Sequence, residues 1–138
     1  MGYNNGAVLI ACYATGSVSG GGDFVGGVVG SNENGTLTAC YHATGKVSGA
    51  SGSTGGVVGR NLQNIGFTTI VTACYWNGTV TGNNGIGNDM VGNGKATKVE
   101  GSTTWETAMS AMNEKLSGTV WKYVSGSGNE PLMLQKVQ

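Results

Sequence analysis

The sequence predicts a mainly β protein: a right-handed parallel β-helix, or solenoid, of about three coils, with a carboxy-terminal helix-plus-hairpin cap. Two recurring phrases and one change of pattern predict it. A Cys-Tyr dipeptide followed by a glycine turn and a valine occurs at Cys12-Tyr13 to Val18, Cys40-Tyr41 to Val47 and Cys74-Tyr75 to Val80. A second phrase keeps step, as Gly26-Gly27-Val28-Val29-Gly30-Ser31-Asn32, then Gly55 to Asn61, then in worn form Asp89-Met90-Val91-Gly92. From Ser102 the repeats stop and apolar residues take up helical spacing.

The repeats span about residues 2–23, 24–52 and 53–99 within a solenoid region 1–101. Gly2-Tyr3-Asn4-Asn5-Gly6 matches only the second half of a repeat, from which we expect the chain to be a piece of a longer protein, with any export signal outside it. The best repeat holds three extended stretches rich in Val, Thr and Tyr, namely Phe24 to Gly30, Thr36 to Tyr41 and Gly45 to Ser48, separated by glycine or asparagine turns. An antiparallel sandwich could use such strands, but like falls on like from repeat to repeat, which favours stacking each strand on its own copy. Leu9, Leu37 and Val71 share one column, Ala11, Ala39 and Ala73 a second, and Tyr13, Tyr41 and Tyr75 a third.

Strict alternation would turn Leu37, Ala39 and Tyr41 inward and expose Cys40. Cysteine is usually buried, so we expect Leu37 and Cys40 inward, with a break in alternation near Ala39. Val18, Val47 and Val80 should be core on the third face. His42 lengthens the second repeat at a corner, and Leu62 to Phe67 lengthens the third. We expect that loop to pack Ile65 and Phe67 over the edge of the coil, a ligand-facing loop being the alternative.

The cap occupies 102–138. Thr103 and Glu106 fit a capping box, followed by Trp105, Ala108, Met109, Met112 and Leu116 at helical spacing and by Gly118. This predicts a helix over about 104–116 and a hairpin over about 119–135. A solenoid end is an open template for pairing, and the cap is expected to close the last coil.

Glycine fills 27 of 138 positions, against a usual share of about 7%. Recurrent Val, Ile, Leu and Tyr between the glycines exclude a flexible tail. Zero formal net charge leaves no electrostatic footprint for nucleic acid or an anionic membrane, and no apolar run spans a bilayer. The three cysteines share one repeat position. They are expected to form a column of buried small hydrophobes, with one bridge between successive coils geometrically open. No local Cys-x-x-Cys pair points to metal.

Gly26 to Asn32, Gly35-Thr36-Leu37-Thr38-Ala39-Cys40-Tyr41 and Thr44-Gly45-Lys46-Val47 together resemble the GLUG repeat, named for a Gly-Leu-any-Gly phrase, with valine here in place of leucine. The resemblance covers about residues 2–92. It implies a non-catalytic, stalk-like segment of a large bacterial surface protein, such as adhesins of gut Bacteroidetes or immunoglobulin A-cleaving metallopeptidases, and it supplies no binding residues. The worn copy lacks the paired glycines of the others.

Sharper chemistry finds little material. Gly85 to Val91 resembles one calcium-binding nonapeptide, but the next nine residues bring no matching aspartate. His42 is the only histidine, Asp23, Glu33 and Asp89 fall in different turns, and Lys46, Arg60 and Lys95 are scattered, so no catalytic set, cofactor site or metal site is expected. Thr36 and Thr38 are taken as solvent-facing strand residues. Asn34-Gly35-Thr36 and Asn77-Gly78-Thr79 match a glycosylation pattern but are taken as turns.

The expectation is therefore a structural or adhesive module at the bacterial surface or secreted. Its partners would be adjacent repeats of the parent protein and a host protein or glycan, with no nucleic acid and no membrane insertion. The alternative is a carbohydrate-binding module in which Tyr13, Tyr41, Tyr75 and Trp76 form an exposed aromatic row.

Overall fold

A computed structural model describes residues 1–137. The first repeat supplies β1 (Tyr3–Asn5), β2 (Val8–Ile10), β3 (Tyr13–Thr15) and β4 (Val18–Ser19). The second supplies β5 (Val25–Gly26), β6 (Val29–Glu33), β7 (Thr36–Thr38), β8 (Tyr41–Ala43) and β9 (Lys46–Ser48). The third begins with β10 (Thr54–Gly55), β11 (Val58–Leu62), β12 (Ile70–Thr72), β13 (Cys74–Trp76) and β14 (Thr79–Val80), and β15 (Ile86–Asp89) and β16 (Ala96–Lys98) follow. The chain is mainly β; among the described residues there is one α-helix, α1 (Trp105–Lys115), followed by a hairpin of β17 (Trp121–Ser127) and β18 (Glu130–Lys136). No helix among the described residues is long and apolar enough to cross a membrane.

Each repeat strand pairs in parallel with its own copy. The ladders run β1-β6-β11-β15, β5-β10, β2-β7-β12, β3-β8-β13-β16 and β4-β9-β14. Leu9 lies opposite Leu37, and Leu37 opposite Val71. Tyr13, Tyr41 and Tyr75 align, as do Val18, Val47 and Val80. Identical or similar side chains stack in several of these columns, which is why those columns were visible in the sequence.

The interior is a column of Leu9, Val29, Leu37, Cys40, Val47, Val58, Val71 and Cys74 with their neighbours. Val47 and Val80 are buried, whereas Val18, on an edge strand, is half-buried. Leu37 and Cys40 both point in because the intervening alanine breaks the alternation. Ala11, Ala39 and Ala73 have φ of 54°, 54° and 48°. A left-handed alanine inserts one residue without a matching flip, so the strand resumes on the opposite phase.

Four expectations need correction. The three stretches per repeat are subdivided: the first breaks at Gly27-Val28, and the second at Ala39-Cys40. The worn copy of the glycine phrase is Gly85 to Asp89 instead of Asp89 to Gly92, because Val58 lies opposite Ile86 and Asn61 opposite Asp89. Inward Ile86 sets that register, and Met90 is left exposed. Residues 53–99 consequently hold strands of two successive layers.

The helix starts one residue late. Thr104 is the cap, its Oγ1 accepting from Thr107 N at 3.2 Å while Thr107 Oγ1 accepts from Thr104 N at 3.0 Å, so Thr107 takes the place expected for Glu106. The cap also lies on the flank of the repeats. Ala108, Met112, Leu116, Tyr123 and Leu132 bury Ala11, Ala39, Tyr41 and Ala43, which belong to the first two repeats. Once the alternation breaks at Ala39, tyrosine and alanine face outward, and that apolar flank requires cover.

Candidate functional site

The four aromatic candidates do not form an exposed row. Tyr13 is 36% exposed, and its ring stacks on Tyr41 with centroids 5.0 Å apart and planes at 5°. Tyr41 is fully buried, with Trp105 and Tyr123 set edge-on at 5.2 and 5.6 Å. Its hydroxyl donates to the Leu132 carbonyl, and the Tyr123 hydroxyl donates to Ala39 O at 2.9 Å. Burial raises the Tyr41, Tyr75 and Tyr123 phenols above their ordinary value. Tyr75 is half-buried. Trp76 points the other way, into the interior, at 2% exposure. Tyr41 and Trp76 are therefore corrected to packing residues, Tyr41 because the cap covers its flank and Trp76 because it follows Tyr75 on a strand and takes the opposite face.

That inward position forms a graded column, Ala14, His42 and Trp76, since Ala14 pairs with His42 and His42 with Trp76. Glycines make room for the two large members. A Cβ on Gly27 would lie 2.5 Å from His42 Cγ, and one on Gly56 would lie 2.3 Å from Trp76 Cδ2. His42 Nε2 donates to Gly16 O at 2.8 Å, while Nδ1 is buried without a partner. Burial holds its pKa below the ordinary value, against a smaller opposing effect of the Gly16 carbonyl. The residue first placed at a corner is thus a neutral core group.

A second column was not anticipated. Asn4 Nδ2 donates to Asn32 Oδ1 at 2.8 Å, Asn32 Nδ2 to Asn61 Oδ1 at 3.0 Å, and Asn61 Nδ2 to Asp89 Oδ1 at 2.9 Å. Asp89 Oδ2 then accepts from Gly94 N at 3.0 Å. Both oxygens of the carboxylate first compared with a calcium motif are spent on this ladder. The recurring asparagine after Gly30-Ser31 and Gly59-Arg60 was its signal in the sequence.

Glu33 accepts from the Tyr3 hydroxyl and from Asn64 Nδ2, and Arg60 Nη2 approaches it to 3.9 Å. The Tyr3 hydrogen bond, then that of Asn64, hold the Glu33 carboxyl below its usual range. Asn64 also donates its backbone N–H to Asn34 Oδ1, and Thr69 Oγ1 donates to Leu62 O. These bonds pin the base of the 62–69 loop, so its apolar tip projects: Ile65 is 102% and Phe67 59% exposed. The expected packing of this loop on the edge is corrected accordingly.

No group of three or more His, Cys, Asp or Glu able to hold a metal exists among the described residues. A groove of about 440 Å³ is lined by Met1, Ala14, Val18, Phe24 and Val25, and one of about 250 Å³ by Trp105, Met109 and Pro131 together with Glu106 and Ser125. Among the described residues, His42, Glu33 and Asp89 each make separate packing or hydrogen-bond contacts. Comparison of the chain with protein-family models, curated proteins and solved structures finds no match.

Proposed function

We propose that the chain is a non-catalytic structural segment of a bacterial surface or secreted protein, a GLUG-like stalk or adhesin module built as a right-handed parallel β-helix of about three coils. The observation that carries this reading is the pairing of every repeat strand with its own copy. Stacked repeats turn sequence length into rigid height, which suits a spacer that holds a binding region away from a cell. Burial of the single histidine and engagement of Glu33 and Asp89 in structural hydrogen bonds support a non-catalytic role. The sugar-stacking alternative loses Tyr41 and Trp76 to burial.

Surface labelling of the producing cells tests the reading. Antibody against the folded chain should decorate intact cells, and mild protease shaving should remove the signal. Staining that appears only after lysis would overturn it. A glycan and matrix-protein array probed with the same protein separates the two versions: saturable binding marks an adhesive module, and none marks a plain spacer.

A further inference from the structure

Cys12, Cys40 and Cys74 each immediately precede one of the aligned tyrosines Tyr13, Tyr41 and Tyr75. Tyr41 N donates to Cys12 O at 3.1 Å and Tyr75 N to Cys40 O at 3.0 Å, so the residue before each stacked tyrosine stacks as well. Neighbouring strands in a parallel ladder lie about 4.8 Å apart, inside the Cα separation of about 4.4–6.8 Å that a disulfide spans. Each sulphur is aimed alike, because each follows an alanine of positive φ. Cys12 Sγ lies 3.5 Å from Ile10 O, Cys40 Sγ 3.4 Å from Thr38 O, and Cys74 Sγ 3.3 Å from Thr72 O. Cys40 Sγ also lies 3.8 Å from Leu9 O and Cys74 Sγ 3.9 Å from Leu37 O, so each leans toward the repeat before it. All three are free thiols, and Cys12 alone is not fully buried.

We propose that Cys12 and Cys40 are a latent disulfide pair that closes to staple the first repeat to the second, leaving Cys74 as a thiol. Access selects the pair: Cys12 is the one thiol of the three that is partly exposed, and the residue stacked beside it is Cys40. The oxidant is a low-molecular-weight disulfide. The Cys12 thiolate attacks it, one small thiolate leaves and takes a proton, and a mixed disulfide remains. The Cys40 sulphur attacks the Cys12 sulphur, the second small thiolate leaves with the bonding electron pair, and the Cys40 proton passes to that thiolate. Two protein thiols thereby lose two electrons and two protons, and the small disulfide becomes two thiols.

The reaction is slow near neutrality. A hydrogen bond with Cys40, then burial, raises the Cys12 thiol. The contact with Cys12 lowers the Cys40 thiol, but the Cys74 contact and burial outweigh it and push Cys40 up to about 12. Because the thiolate is the nucleophile, the rate should rise about tenfold per pH unit below the thiol pKa.

Native protein is incubated with oxidised glutathione at rising pH, alkylated and mapped by mass spectrometry, with a denatured sample in parallel. The expected product is a Cys12–Cys40 linked peptide, two hydrogens lighter than the reduced pair, formed from native protein and from Cys74→Ala. Cys12→Ala, altered at a partly exposed edge site, should keep both remaining thiols. Amide exchange over Val8–Ile10 should slow only in the oxidised form. A Cys40–Cys74 link in native protein, or a link that forms only in the denatured sample, would overturn the proposal.

Discussion

At the scale of single residues, the paired glycines are explained by what lies across from them. Gly56 faces Trp76 so closely that a methyl group there would force the indole to move. Overpacking of this kind costs about 1–3 kcal/mol, and Trp76→Ala alone should cost about 3–5 kcal/mol. In Gly56→Ala/Trp76→Ala the added methyl meets empty space. Urea unfolding of the four proteins should show the double variant more stable than the sum of the singles by about 1 kcal/mol or more; simple additivity would mean that the glycine serves only the backbone. His42 supplies a pH prediction. Its folded pKa lies below its ordinary value, so the unfolded chain takes up the proton first as pH falls. Its stabilising contribution is complete above the unfolded pKa, about 6.5, and is lost as pH drops below that value toward the folded pKa. Thermal melts from pH 7.5 to 5 should show a falling Tm. The slope should flatten in His42→Gln, which removes the titration, and an unchanged slope would assign the effect to other groups.

At the scale of elements, the cap is held by shape and by one side chain. Asn113 on α1 bonds both backbone groups of Tyr123, donating from Nδ2 to its carbonyl at 2.9 Å and accepting from its N–H at 2.7 Å through Oδ1. Asn113→Ala removes two partly buried hydrogen bonds, a loss of about 1–3 kcal/mol. It should lower the melting temperature and raise protease cutting between α1 and β17; a neutral result would leave the attachment to Tyr123, Leu132 and their apolar contacts. Where the cap sits was not legible in the sequence. Its apolar stripe at Trp105, Ala108, Met112 and Leu116 marked a buried face, but the surface it covers exists only because Ala39 turns Tyr41 outward. The strands were legible for the opposite reason: in a parallel ladder identical residues meet, so a repeat in the sequence is already a statement of register. The break at Ala39 showed as a conflict between alternation and the burial of Cys40. The outward tip of the 62–69 loop did not show, since Ile65 and Phe67 are apolar and only the hydrogen bonds of Asn64 and Thr69 fix where they point.

At the scale of the molecule, stability is shared between neighbouring layers, and the asparagine column tests how. Asn32 is held on both sides, accepting from Asn4 and donating to Asn61 and to Gly35 O at 3.2 Å, whereas Asn4 contacts one neighbour in the column. Both are buried. Removing Asn32 leaves Asn61 Oδ1 without a partner in the interior, while Asn4 Nδ2 keeps its bond to Ala7 O and the Gly35 carbonyl keeps the bond from Ile70 N. Unsatisfied buried groups cost about 1–3 kcal/mol each. Asn32→Ala, which removes three hydrogen bonds and orphans one buried acceptor, should therefore destabilise by about 1–3 kcal/mol, and Asn4→Ala by less. Hydrogen exchange adds a spatial readout. If layers are coupled mainly to nearest neighbours, amides of β7, β8 and β9, paired on both edges, are protected most in the parent protein, and those of β1 to β4 open first. Asn32→Ala should then lower protection in all three layers that contain Asn4, Asn32 and Asn61, while Asn4→Ala lowers it in the first layer and leaves β11 and β12 near their original rates. Equal loss in every layer from both variants would show that the chain opens as one cooperative unit, and that the column acts as a single strut through the stack.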